Sequence, residues 1–169
     1  MPEKSVIQRA RRDKRQGKSP TTQAGEFVRE EFHHIREGKH GARSTKQAIA
    51  IGLSKARRAG VDLPPPKKGQ TTERTRKSAE QAYRRGQGEP PARPPSAKRS
   101  RAIQQALQRE GQSAASHASL SKQSRRSARQ RTAVQRSAAA EKAAQTKGAA
   151  GRSQAARKAA RTRAAHAQH

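Results

Sequence analysis

The chain has 169 residues, of which 40 are Lys or Arg and 12 are Asp or Glu, so its formal net charge is +28. Only 29% of the residues are hydrophobic, and none is Cys. A globular domain is usually about 45–50% apolar, and low hydrophobicity with high net charge is typical of disorder. This composition excludes disulfides and cysteine-based sites, and we expect a small folded element with long flexible flanks.

Charge and apolar content divide the chain into a first part and a tail. Residues 1–63 hold 15 basic and 7 acidic residues, whereas residues 96–169 hold 17 and 2. The large apolar residues crowd into the first part, and the tail has only four of them, which are Ile103, Leu107, Leu120 and Val134. We therefore expect any buried core to lie mostly before residue 64.

A basic, flexible arm is predicted over residues 1–18, and a first helix over about 20–36. Ser19 is a capping residue, and Pro20 suits the first helical position. The apolar side chains that follow recur at spacings of four and three, which predicts one buried helical stripe. They are Val28, Phe32 and Ile35.

A second helix is predicted over about 44–59, so that residues 19–63 form a helical pair. Ser44 and Gln47 have the spacing of a capping box, and Gly60 is a natural stop. The apolar stripe consists of Ile49, Leu53 and Ala56. No third helix is evident, so this small core is expected to need a further helix, a partner chain or DNA for stability.

Beyond the pair, residues 64–95 are predicted to be a Pro-rich linker with a weak helix over 72–85. Residues 96–169 are a low-complexity tail of Ala, Arg, Lys, Ser and Gln, in which Ser96 is expected to cap a short helix. Ala-Ala-x-Lys/Arg units repeat there at an offset of 16 residues. Such units favour helix, but their like charges repel. The predicted fold class is therefore mainly α: a small N-terminal helical pair followed by a largely disordered basic tail with partial helix.

Two segments carry a resemblance. Residues 25–66, with the core GKHGARSTKQAIAIGLSKARRAG at 38–60, resemble an uncharacterised family of small basic bacterial proteins, a domain of unknown function. That resemblance implies no activity. The tail is similar in composition to histone H1-like and other Ala/Lys/Arg-rich nucleoid proteins, although it prefers Arg to Lys and contains many Ser and Gln. This second resemblance implies DNA binding.

The basic residues are the main functional signal. Each phosphate that Lys or Arg neutralises releases condensed counterions, so a chain of this charge is expected to bind DNA without a sequence code. Solubilising surfaces usually mix both signs, which this tail does not. The candidate nucleic-acid-binding residues are Arg9, Arg11, Arg12, Lys14, Arg15, Lys39, Arg43, Lys46, Lys55, Arg57, Arg58, Arg125, Arg126, Arg129, Arg131, Lys142, Lys147, Arg152, Arg157, Lys158, Arg161 and Arg163.

Sequence-specific readout is not expected. The N-terminus of the second helix, at residues 43–46, is a candidate phosphate contact, but a helix-turn-helix usually has a shorter turn and a third helix. Specific RNA recognition relies on aromatic stacking platforms. Here Phe27 and Phe32 are expected in the core, and Tyr83 stands alone. Nonspecific RNA binding stays open.

Metal, membrane and enzyme functions are not expected. His33, His34 and His40 lack the spacing and companion ligands of a zinc site, so they are interpreted as structural or exposed, and no cofactor is predicted. Gly17-Lys18-Ser19 is similar to the end of a phosphate-binding loop, but Arg12 stands where that motif needs Gly. No run of about 18 apolar residues, secretory signal or lipidation motif is present.

The sequence thus predicts a non-catalytic, sequence-independent DNA-binding protein that neutralises phosphates and bridges duplexes, in the cytoplasm on the nucleoid. One alternative is a protein-interaction module that its tail localises to nucleic acid, with a homo-oligomer or another protein as partner. Another is a nonspecific RNA-binding factor.

Overall fold

The computed structural model describes residues 2–90 and 96–166, and all its regular elements are helices. They are α1 (Lys4–Arg15), α2 (Pro20–Arg36), α3 (Thr45–Arg58), α4 (Glu73–Gly86), α5 (Ala97–Gln108), the 3-10 turn η1 (Ser113–Ala115), α6 (His117–Arg129) and α7 (Ala133–His166). The chain forms two compact units, Met1–Gln123 and Ser124–His169. Among the described helices, none has the length and apolar character needed to cross a membrane.

Helices α2 and α3 lie where the apolar stripes predict the helical pair. Ser44 caps α3, because its hydroxyl accepts a hydrogen bond from the Gln47 backbone N–H at 3.2 Å, and the Gln47 side chain accepts one from the Arg43 N–H at 2.9 Å. The two helices touch closely at Gly52. A Cβ placed there would lie 2.7 Å from the Val28 Cα, so only glycine permits this approach.

The prediction of a flexible N-terminal arm was wrong, because α1 is part of the core. Its Val6 and Ala10 are buried in one cluster with Phe27 of α2 and Ala56 of α3. Arg9 also pairs with Glu26 of α2 at 2.7 Å. The arm folds because its few apolar side chains share one helical face.

The predicted helical pair does receive further support, because part of the predicted tail completes the core. Ala114 and Ala115 of η1 join the cluster that contains Phe32 and Ile35. Thr45 donates a hydrogen bond to the Ala114 carbonyl at 2.8 Å. Residues 107–120 therefore belong to the same folded unit as α1–α3.

Helix α4 turns the predicted linker into a packed element. It lies against α3 and buries Ala79 and Ala82. At its end a Cβ on Gly86 would lie 1.7 Å from the Arg57 carbonyl oxygen. The end of the predicted Pro-rich linker, residues 91–95, lies outside the described residues.

The largely disordered tail was wrong as well, since α5, η1, α6 and α7 cover most of residues 96–166. Ser96 caps α5 by accepting from the Arg99 N–H. Helix α7 is interrupted at Gly148, whose φ of 65° and ψ of 176° are not helical. The high intrinsic helix propensity of the Ala-rich units outweighs the repulsion between their like charges.

Candidate nucleic-acid interface

Four of the eleven acidic residues of the first unit are drawn into the fold. Asp13, Glu30 and Glu31 are buried, and Glu26 pairs with both Arg9 and Arg29. Because these carboxylates face inward, the surface of the unit is more cationic than its composition indicates.

On α1 the structure leaves most of the predicted basic residues free to reach a ligand. Arg11, Arg12, Lys14 and Arg15 are all exposed. Arg9 is the exception, because it is half-buried in its pair with Glu26.

At the loop between α2 and α3, Lys39, Arg43 and Lys46 are exposed. Lys39 lies 3.0 Å from Glu37, and this contact raises the pKa of Lys39. The neighbouring hydroxyl groups serve the fold instead: Ser44 caps α3, and Thr45 is buried against Ala114. The basic side chains, rather than the helix N-terminus, are the anion contacts available here.

At the end of α3 the structure separates three cations that the sequence groups together. Lys55 is 16% exposed, and its Nζ lies 2.6 Å from Glu31 Oε2. Arg57 is 7% exposed and donates to the carbonyls of Leu63 and Pro64 at 3.0 and 3.3 Å, and burial lowers its pKa. Arg58 remains exposed. Lys55 and Arg57 therefore stabilise the fold, and Arg58 alone of the three faces solvent.

The second unit concentrates cations without compensating acids. It contains twelve Lys and Arg residues and one acid, Glu141, and all twelve cations are exposed. None of the ion pairs found within the described residues involves them. Eleven of them are in the predicted set, in α6 (Arg125, Arg126, Arg129), between the helices (Arg131) and in α7 (Lys142, Lys147, Arg152, Arg157, Lys158, Arg161, Arg163); the sequence analysis left out Arg136.

Helix α7 has no apolar face to bury. No residue of Ala133–His166 is buried, and the side chain of Val134 is 78% exposed. A helix that is polar on all sides needs a polar partner or many ion pairs to be stable. Its cations are distributed around the axis, so it presents positive charge in several directions.

The structure also assembles a polar cluster that the sequence analysis did not find. Glu31 and His34 of α2 lie close to His40 of the following loop, and His33 points elsewhere and is exposed. The three-residue spacing of Glu31 and His34 was visible in the sequence. The path of the following loop, which places His40 beside α2, was not visible in the sequence.

Comparison with known proteins adds one finding. The model of a family described as a family of unknown function (DUF6496) matches residues 11–68. The match covers α1 from Arg11 onward, α2 and α3. No curated protein and no solved structure matches the chain.

Proposed function

We propose that this protein is a non-catalytic, sequence-independent DNA-binding protein that acts on the phosphate backbone, in the cytoplasm on the nucleoid. One observation carries the proposal: twelve exposed cations in the second unit face solvent with a single acid among them. Holding so many like charges on one short stretch is costly in water, and a polyanion relieves that repulsion.

The mechanism is charge neutralisation. Each Lys or Arg that meets a phosphate releases a condensed counterion, and the resulting entropy gain drives binding. The exposed cations of α1 form a second cationic region on the same chain. Two tethered regions can hold two stretches of duplex at a high effective concentration, which is bridging.

The absence of a base-stacking surface supports backbone contact over readout of bases. Phe27 and Phe32 are buried, and the Tyr83 hydroxyl donates to Asp62 Oδ1 at 2.7 Å. Single-stranded binding proteins stack successive bases on aromatic side chains, and the described residues provide no group of exposed Phe, Tyr or Trp rings for this. The likeness of the tail in composition to histone H1-like proteins points the same way.

The test is a binding comparison with the untagged full chain at physiological salt. Two duplexes of equal length and unrelated sequence are each titrated, and a structured RNA then competes. We expect equal affinity for the duplexes and weaker competition by RNA. Because specific sites are typically bound at least about a thousandfold more tightly than others, a large preference for one duplex would contradict the proposal. So would tighter binding of RNA, or no binding to either duplex.

A further inference from the structure

The strongest unassigned feature is the polar cluster at the end of α2. Glu31 and His34 are three residues apart and share a helix face, and the loop after α2 returns His40 to the same place. One ligand atom from each side chain lies within 4.8 Å of the others. The rings of His34 and His40 meet edge to face, with 6.1 Å between their centroids.

The closest pair has the separation of two ligands on one metal ion. His40 Nε2 lies 3.4 Å from Glu31 Oε1. Zinc binds His nitrogen at about 2.0–2.1 Å and carboxylate oxygen at about 2.0–2.2 Å in tetrahedral geometry, which puts neighbouring ligand atoms about 3.4 Å apart.

The hydrogen bonding of His40 leaves the correct nitrogen for a metal. His40 Nδ1 lies 3.1 Å from the Gly41 carbonyl oxygen, which can only accept, so Nδ1 carries the proton. In the neutral ring Nε2 is then an unprotonated acceptor. Ligating histidines almost always donate their other N–H to a carbonyl or carboxylate in this way.

Glu31 is a buried carboxylate that needs a cation. Its side chain is fully buried, and Oε1 accepts no hydrogen bond. Lys55 lies against the other oxygen, Oε2, at 2.6 Å, which leaves Oε1 directed at His40. Two acceptors that face each other at 3.4 Å repel unless a proton or a metal ion lies between them.

The charges around the cluster favour a metal ion. Glu3 and Glu30 form a second group with His34, and the Oε2 atom of Glu30 also accepts no hydrogen bond. Glu3 Oε1 lies 3.3 Å from His34 Nε2. Three carboxylates thus face two ammonium groups, Lys55 and Lys39.

We propose that Glu31, His34 and His40 bind one divalent transition-metal ion of the zinc class. Imidazole and carboxylate ligands suit Zn²⁺, and water completes the coordination. The ion would tie α2 to the loop that carries Lys39 and Arg43.

The experiment titrates the untagged full chain with Co²⁺, which reports tetrahedral coordination by its visible absorption, and then displaces it with Zn²⁺. We expect one equivalent per chain. His40→Gln and His34→Gln should each weaken metal binding by more than about tenfold. Loss of a residue that only hydrogen-bonds a ligand already costs about ten- to a hundredfold in metal affinity. His33→Gln, which changes the exposed neighbour, is the matched control and should bind as the unaltered chain does.

Far-UV circular dichroism of each variant keeps loss of the site distinct from loss of the fold. The absence of one-to-one binding by the unaltered chain would overturn the proposal without any variant. Equal weakening of metal binding by His33→Gln would also overturn the proposal, because it would show that the metal binds exposed histidines in general. Since no DNA is present in the titration, its outcome is independent of the proposed DNA binding.

Discussion

Two glycines in the paired helices have opposite surroundings, and they provide a matched test of the α2–α3 contact. A Cβ on Gly52 of α3 would lie 2.7 Å from the Val28 Cα, whereas a Cβ on Gly25 of α2 would meet nothing within 4 Å. The first glycine is needed for close packing. The second only adds flexibility to a helix.

Gly52→Ala is expected to lower the free energy of unfolding by about 1–3 kcal/mol, because backbone must move to admit the methyl group. Gly25→Ala is expected to raise it by up to about 1 kcal/mol through helix propensity. Urea unfolding of both full-length variants measures the difference. Similar changes in the two would show that α2 and α3 do not approach each other at Gly52.

Lys55 is predicted to stabilise the fold rather than to bind DNA. Lys55→Met leaves Glu30 and Glu31 in the interior without their ammonium partner. We expect it to lower the free energy of unfolding by about 2–4 kcal/mol, less than for a fully enclosed pair because Lys55 is 16% exposed. Lys46→Met on the exposed side of α3 is the control. Equal unfolding free energies for the two variants would contradict this role.

At this scale the sequence could predict caps and apolar stripes but not the partners of charged residues. Ser44 with Gln47, and Phe27 in the core, follow from local spacing. The burial of Arg57 and Lys55 does not, because it depends on carbonyls and carboxylates that the tertiary fold brings together. A lysine beside a buried glutamate is indistinguishable in sequence from one that faces solvent.

Among the elements, α2 and α3 were predictable, whereas α1 and η1 were not, for one physical reason. Helix α2 buries Phe27, Phe32 and Ile35, and α3 packs the partly buried Ile49 and Leu53 against the core. Helix α1 buries Val6 and Ala10, and turn η1 buries Ala114 and Ala115. One valine and three alanines are too few and too small to stand out as core residues in a chain this rich in alanine.

Gly41 provides a test of how residues 107–120 dock against the loop between α2 and α3. Its N–H donates to the Leu107 carbonyl at 2.8 Å, and a Cβ there would lie 1.8 Å from the Glu110 carbonyl oxygen. Gly41→Ala is expected to displace residues 107–120, while Gly111→Ala, whose Cβ would meet nothing within 4 Å, should not.

The measurement is cleavage after Glu110 by a glutamyl endopeptidase, relative to cleavage after Glu141 in the same chain. Overpacking is expected to destabilise the docked segment by about 1–3 kcal/mol. This corresponds to a rise of about five- to a hundredfold in the population of molecules in which the segment is undocked. A ratio of cleavage rates that is unchanged in Gly41→Ala would mean that the segment is not docked there.

On the scale of the whole molecule, the charges are sorted along the chain. All acids except Glu141 precede residue 124, and several are buried or paired, whereas the twelve cations of the second unit are exposed. The net charge was readable from composition. The position at which the folded unit ends was not readable from composition. Removal of residues 96–169 would take away η1 and part of the core. The basic second unit is therefore best altered by substitution.

The central claim is tested most directly by the salt dependence of duplex DNA binding. The full chain is compared with a variant that replaces five α7 cations by Gln, namely Arg152, Arg157, Lys158, Arg161 and Arg163. The control changes three exposed neutral α7 residues, Gln145, Ser153 and Gln154, to Ala.

The logarithm of affinity should fall linearly with the logarithm of salt concentration, by about 0.9 per phosphate neutralised. We expect the five-residue variant to bind more weakly with a slope smaller by up to about 4.5, and the control to match the full chain. An unchanged slope in the variant, or an affinity of the full chain that does not depend on salt, would contradict phosphate neutralisation by this unit.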